Sequence, residues 1–220
     1  VKEDPIEIDF TIWHFVFFFL TGATAGFVDA IAGGGGLIAL PVLFSIGLPP
    51  DIALGTNKLQ GTFGTFSASW NYIRKGVVKI NESQSGITYT FLGAMTGAYC
   101  VQQMASGFLQ DLIPVMLLVV FFYTLFTKNL GIKTGKQRLS FKIFYLVFGL
   151  GLGFYDGFFG PGTGSFWTAA LLFFIGFDMK KASGITRIMN FTSNIVALSV
   201  FILGGKVLYT AGFCMAAGQI

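Results

Sequence analysis

The chain has 220 residues, of which 54% are hydrophobic and 11% charged, with 27 Phe, 30 Gly and a formal net charge of +4. A soluble domain carries about 25% charge, and a chain this short cannot hide so much apolar surface in a water-soluble core; with a mean hydropathy of +0.73, it reads as an all-α integral protein of the lipid bilayer. The basic residues sit between apolar runs, as orienting loop charges do, which excludes nucleic acid as a partner.

The first ten residues, VKEDPIEIDF, form an acidic N-terminal tail. They lack the basic n-region of a signal peptide. There is no starting Met, and the closing AAGQI stops inside an apolar segment, so further sequence is expected at both ends. Residues 11–32 are apolar and long enough to cross a bilayer. Gly33 to Gly36 break that run, 37–48 is a second run too short to span alone, and Pro49 and Pro50 end it. A segment rich in small and polar residues follows at 53–73, then a basic loop with Arg74, Lys75 and Lys79. Two spans are predicted at 86–107 and 110–127, joined by a tight turn around Gln110 and Asp111. The next loop, 128–142, carries Lys128, Lys133, Lys136, Arg138 and Lys142 without an acid, which places it in the cytoplasm. Beyond it come an apolar run at 141–159, a break at Gly160-Pro161-Gly162, a short run at 164–177, a span at 182–204 and a last segment from Leu208.

The order of these pieces repeats. Asp29 and Gly33 recur as Asp156 and Gly160, 127 residues on. Gly47, Ala53, Gly55, Lys58 and Gly76 recur as Gly176, Ala182, Gly184, Arg187 and Gly205, 129 residues on. One two-residue insertion reconciles the copies. The chain therefore divides into the tail at 1–10, a first transmembrane repeat at 11–127, a basic cytoplasmic loop at 128–140 and a second repeat at 141–220. Treating each glycine-broken element as a single span gives parallel repeats; treating it as a hairpin gives inverted repeats. Counting basic residues does not separate the two. Inverted repeats are preferred, because the acidic N-terminus then lies outside and Lys180 and Lys181 inside.

Four ionisable residues, Asp29, Lys58, Asp156 and Arg187, fall in or beside apolar segments. Each costs about 2.5–3.5 kcal/mol at a membrane-helix centre, so such residues mark a transport path or pair as a structural clamp. At helical spacing Lys58, Gly61 and Thr65 share one face, as do Arg187, Asn190 and Asn194. Asn57 and Gln60 add donors beside the first stripe. Two equivalent stripes converging on a repeat axis form the usual substrate site of a transporter, and discontinuous helices in both halves point to the same place. The glycine turns, with amides near Gly35 and at Gly162 and Thr163, can turn N–H groups inward as an anion nest at a half-helix N-terminus. The expected site therefore joins Gly35, Asn57, Lys58, Gln60, Gly162, Thr163, Arg187 and Asn190 around a small anion, with Lys58 and Arg187 approaching one another. Asp29 and Asp156 are candidates for proton coupling, since burial favours the protonated carboxyl. A clamp would instead pair Lys58 with Asp29.

The inventory for catalysis is poor, and no enzyme is expected. His14 is the only histidine and reads as interfacial; Cys100 and Cys214 read as buried core thiols. No metal-ligand spacing, cofactor motif or Walker A sequence appears. An intramembrane enzyme using Asp29 with Asp156, or a passive anion channel, are the alternatives.

At these same residues the chain resembles the sulfite exporter TauE/SafE family of bacterial membrane transporters. The resemblance lies in GFVDAIAGGGG with ALPVLFSIGLPPDIALGTNK, and in GFYDGFFGPGTGSF with ASGITRIMN. It covers nearly the whole chain. It implies about eight spans in two related halves, a multi-pass location in the bacterial cytoplasmic membrane, and secondary transport of a sulfur oxyanion or organosulfonate. The oligomeric state is left open, with a homodimer among the alternatives.

Overall fold

The computed structural model describes residues 10–126 and 136–220. The N-terminal tail through residue 9, and Lys128 and Lys133 of the basic loop, lie outside the described residues. Within them are nine helices and no strand: α1 (Ile12–Ala32), α2 (Gly36–Ser45), α3 (Pro50–Arg74), α4 (Ile80–Gln102), α5 (Ser106–Phe126), α6 (Phe141–Phe158), α7 (Thr163–Ile175), α8 (Met179–Leu203) and α9 (Tyr209–Gln219). Helices α1, α5, α6 and α8 contain stretches long and apolar enough to cross a membrane. Their outer faces carry exposed Phe, Leu, Val and Ile, such as Phe17, Phe121, Val147 and Ile202. That is the surface a bilayer covers and water does not tolerate.

The helix limits keep the register of the repeat. Helices α3 and α8 each have 25 residues, and both α8 and α9 begin 129 residues after α3 and α4. Left-handed glycines follow the same register: Gly33 with Gly160, Gly47 with Gly176, Gly76 with Gly205. The two-residue insertion lies in α7, between Gly160 and Gly176. There the helix loosens into a π turn at Leu171–Ile175, whereas α2 has none. A π turn is the local way to take in an extra residue without breaking a helix.

Both breaks fall at the glycine clusters. Helix α1 ends where Gly33, at φ 73°, donates its N–H to Asp29 O at 2.8 Å. This is a left-handed C-cap, which Gly adopts without a Cβ penalty. Helix α6 ends at Phe158 and α7 starts after Gly162. The two turns meet: a Cβ on Gly33 would lie 2.6 Å from Gly164 Cα, so no larger residue fits between them.

The halves interleave rather than sit side by side. Helix α1 packs on α9 and α6 on α4, so each leading helix lies against the other half. Small residues make these contacts close, as between membrane helices generally. A Cβ on Gly22 would lie 2.8 Å from Met215 Cα, and one on Gly153 would lie 2.9 Å from Thr90 Cα. The equivalent helices α3 and α8 run antiparallel. Gly55 lies against Phe201, Gly61 against Asn194, and Gly184 against Tyr72.

Two apolar clusters sandwich the middle of this pair. One holds Ala53 and Leu54 of α3 with Ala197 and Phe201 of α8, backed by Phe18, Leu43, Leu109 and Ile113. The other holds Ile185, Ile188 and Met189 of α8, with Phe144, Tyr145, Trp167 and Val78. The centre of α3 and α8, between the clusters, is polar.

The limits of two predicted spans move: those expected at 86–107 and 110–127 are Ile80–Gln102 and Ser106–Phe126. The turn between the two spans lies at 103–105, and Gln110 and Asp111 fall inside α5. The helix starts at Ser106, so Gln110 and Asp111 lie in its second turn and belong to the helix, not to the connection before it. The thiols also differ from expectation. Cys100 and Cys214 are only half-buried, and Cys214 Sγ donates to Phe15 O at 3.1 Å.

Candidate functional site

The polar centre of the α3–α8 pair opens into a cavity of about 40 Å³, closed by the two glycine turns and lined also by Gln219 of α9. Asp29, Gly35, Asn57, Lys58, Gln60, Asp156, Gly162, Thr163 and Asn190 all line it. By this measure of volume it holds roughly three waters, the scale of a small ion and not of a large organic substrate. The first turns of α2 and α7 open on it at Gly36 and Gly164. Both helices thus direct the positive ends of their dipoles at one spot.

Among the described residues, two of the ion pairs that cross between the halves belong to this polar centre. Lys58 Nζ donates to Asp156 Oδ1 at 2.7 Å, and Arg187 Nη1 donates to Asp29 Oδ2 at 2.9 Å. Asp156 is the repeat counterpart of Asp29, and Arg187 that of Lys58, so the bridges exchange under the internal symmetry. This corrects the expected clamp of Lys58 with Asp29. Each of the two cations expected to approach one another thus already holds a carboxylate. The cause is the interleaving: α6 carries the second half's acid to α3, and α1 carries the first half's acid to α8.

The pairs are not alike. Lys58 is 1% exposed, and its Nζ also donates to Asn194 Oδ1 at 3.2 Å. Asp156 is held on its other oxygen by a hydrogen bond from the Ser193 hydroxyl. Arg187, by contrast, is absent from the cavity lining. Its guanidinium donates to Asp29 O at 2.5 Å and Ala30 O at 3.1 Å, closing the carbonyl end of α1. A cation at a helix C-terminus meets the negative end of the dipole. Asp29 Oδ1 in turn accepts from Gly35 N at 3.4 Å, tying α1 to the start of α2.

The remaining polar groups form a ring of amides. Gln60 Nε2 donates to Asn57 Oδ1 at 2.8 Å, and Asn194 Nδ2 reaches Thr65 Oγ1 at 3.5 Å. Gln60 Oε1 and Asn190 Oδ1 are buried with no protein partner among the described residues. A buried amide without a partner is costly, and these two line the cavity. A half-turn about the last side-chain bond presents the NH2 of Asn190 in place of its oxygen, so it can serve an anion or a water. Gln60 does the same when Asn57 turns with it, which keeps their hydrogen bond.

The stripes along α3 and α8 led to most of this site, but Gln219 escaped it. Its helix is short and close to the end of the chain, with no charge to draw attention. Contacts place it: a Cβ on Gly26 would lie 3.1 Å from Gln219 Cα. Asn194, which the helical spacing put on the Arg187 face, faces Lys58 instead. Among the described residues no group of three His, Cys, Asp or Glu could hold a metal.

The profile of the sulfite exporter TauE/SafE family matches residues 18–220. A "Probable membrane transporter protein" of Haemophilus influenzae is 45% identical, over 92% of this chain and 79% of its own length. The "Probable membrane transporter protein YfcA" of Escherichia coli K12 is 42% identical, over 91% of this chain and 75% of its own. The more distant "Probable membrane transporter protein YdhB" of Bacillus subtilis is 25% identical, over 89% of this chain and 77% of its own. No solved structure matches the chain. With a matching profile over most of its length, two relatives above 40% identity and apolar helices that fit a bilayer, the chain belongs to the TauE/SafE sulfite exporter family of multi-pass membrane transporters.

Proposed function

We propose that the protein is a secondary transporter that moves a small sulfur oxyanion or organosulfonate across the bacterial cytoplasmic membrane, coupled to protons through Asp29 or Asp156. The observation that carries this reading is the cavity at the meeting of the two glycine turns, lined from both halves and ringed by amides. A small oxyanion there meets the Lys58 ammonium, the Asn57, Gln60 and Asn190 amides and the starts of α2 and α7. Charge-assisted hydrogen bonds of this kind are about twice as strong as neutral ones. Arg187 supports the site from behind, by fixing Asp29 and the end of α1.

The antiparallel run of α3 and α8 supports inverted repeats about an axis in the membrane plane, the architecture in which two halves rock around a central site. Arg74, Lys75, Lys79, Lys136, Arg138, Lys142, Lys180 and Lys181 all lie toward one end of the helices. Asp51, Lys206 and Asp111 lie toward the other. The basic end is cytoplasmic, and Thr11 at the start of α1 faces outside. The test is transport of labelled sulfite, thiosulfate and methanesulfonate by proteoliposomes under an imposed pH gradient. Uptake that follows the gradient supports the reading. Absence of transport for all three, in protein that is folded and inserted, overturns it.

A further inference from the structure

We infer that the two ion pairs have different tasks: an incoming anion displaces Asp156 from Lys58 and Asp156 takes up the proton, while Arg187–Asp29 stays closed as a latch. This rests on the anion-transport reading above and narrows it to one carboxyl.

Access comes first. Lys58 and Asp156 both line the cavity, whereas Arg187 does not. Lys58 is therefore the cation that an anion in the cavity reaches. Charge balance comes next. As it stands, the Lys58–Asp156 pair is neutral and nearly fully buried, with side chains 1% and 4% exposed. An anion that took the ammonium would leave a bare carboxylate beside it, and an unpaired charge at such depth is strongly disfavoured. Uptake of one proton by Asp156 restores neutrality for a monoanion: the Lys58–carboxylate contact breaks, the Lys58–anion contact forms, and the carboxylate becomes a carboxyl.

The neighbours of Asp156 permit this change. The Ser193 hydroxyl, which donates to Asp156 Oδ2, has alternative acceptors in Met189 O at 3.0 Å and Asn190 O at 3.1 Å. It can turn away and leave Oδ2 free to carry a proton. Asn194 Oδ1 keeps a hold on Lys58 Nζ while Asp156 lets go. From α3 the charged group facing Asp156 is Lys58. From α8 it meets Ser193, while Arg187 is engaged with Asp29 of α1. Helix α4 presents Thr90, Gly93 and Ala94 to α6, none of them titratable. Tyr155 on α6 itself gives its hydroxyl to Pro161 O at 2.6 Å.

The other pair is built to stay. Arg187 holds three acceptors at the end of α1, two of them backbone carbonyls, and its guanidinium does not give up its charge. An anion taking Arg187 would also strip the cap from that helix.

The experiment is calorimetric titration of the detergent-purified protein with sulfite, thiosulfate and methanesulfonate, each in two buffers of different ionisation heat. The anion's own titration is common to all variants, so differences between them belong to the protein. With methanesulfonate, the monoanion of the three, wild type and Asp29→Asn should each take up about one proton per anion bound, and Asp156→Asn none. Asp156→Glu should restore the uptake. Zero uptake in wild type, or about one proton still taken up by Asp156→Asn, overturns the inference while leaving anion binding intact. Failure of all three anions to bind overturns the transport reading and this inference with it. Should Asp156→Asn not fold, infrared difference spectra decide: anion binding should raise a protonated-carboxyl band in wild type that shifts in Ser193→Ala. No band, or a band indifferent to Ser193→Ala, overturns the assignment.

Discussion

Thr65 and Asn194 occupy equivalent positions in the two halves, and they face each other, with Asn194 Nδ2 3.5 Å from Thr65 Oγ1. In the inverted-repeat arrangement proposed above, a residue that touches its own counterpart lies by the twofold axis, which puts that axis beside the cavity. It also fixes the sense of packing. The same two helices run parallel would not bring Phe66 within 5.4 Å of Phe191 while Gly55 lies against Phe201. With Cys100 and Cys214 replaced, Thr65→Cys with Asn194→Cys should therefore crosslink under oxidation or with a short thiol-reactive linker. Thr65→Cys with Phe201→Cys should not, as the latter lies near Gly55, about ten residues or 15 Å away along α3.

The crossed bridges give an order of stabilities. Removing one partner of a buried ion pair costs about 3–5 kcal/mol, because the other charge is left uncompensated. Lys58→Ala should therefore lower the unfolding temperature sharply. Adding Asp156→Ala should recover most of that loss, and adding Asp29→Ala should not. Transport stays absent in both doubles, since the ammonium is gone. Thermal unfolding in detergent measures the first effect and proteoliposome uptake the second. Recovery by Asp29→Ala would mean that the pairing is within one half.

How much of this was legible in the sequence differs by level. The helix limits follow from apolar runs, prolines at 49 and 50 and left-handed glycines, all of them local signals. The lining residues were legible as well, because Lys58, Asn57 and Gln60 are out of place in an apolar chain. The pairing was not. Four ions on four helices allow more than one set of bridges, and the choice depends on α6 reaching α3 through its small-residue contact with α4. That is a property of how the halves interleave, which periodicity along one helix does not contain. Arg187 shows the limit clearly. Its position in the repeat equals that of Lys58, yet its long planar side chain turns to the end of α1 and leaves the cavity wall.

Gly160 is where the turn geometry and the charge pair meet. It has φ 102°, and a Cβ there would lie 2.6 Å from Lys58 Nζ and 2.9 Å from Asp156 Oδ1. Gly160→Ala thus combines a disfavoured backbone with a methyl group wedged between the two ions. Transport should fall by an order of magnitude or more, and the unfolding temperature should fall with it. Gly76→Ala is the control. It carries a positive φ of 66° with nothing within 4 Å, so it should cost stability through backbone strain alone and leave transport per folded molecule near that of wild type.

Orientation can be read with single cysteines at the two ends of the helices. Ser140, at the N-cap of α6, lies at the basic end. Gln103, in the turn between α4 and α5, lies at the opposite end. In a background without Cys100 and Cys214, an impermeant thiol reagent should label Gln103→Cys in intact spheroplasts and Ser140→Cys only after permeabilisation. The reverse pattern would turn the protein over in the membrane and put the basic end outside.

Arg187→Lys separates the latch from the transport step. The guanidinium is a planar fork, and here its two terminal nitrogens serve Asp29 Oδ2, Asp29 O and Ala30 O together. An ammonium on a shorter, rounder head keeps the charge but not this geometry. The carboxylate therefore still finds a cation, so the full penalty of an unpaired charge does not appear. What is lost is one or two charge-assisted bonds to the end of α1, each worth about 1.5–3 kcal/mol. With the end of α1 freed, Asp29 and the Gly35 amide it holds lose their fixed position on the cavity wall. The variant should unfold at a lower temperature and bind the anion several-fold more weakly. The number of protons taken up per anion should nonetheless stay at the wild-type value, because Lys58, Asp156 and Ser193 are untouched. Paired measurement of affinity and proton count on Arg187→Lys decides the point. A changed proton count would make Arg187–Asp29 part of the coupling machinery and end the distinction between the two bridges.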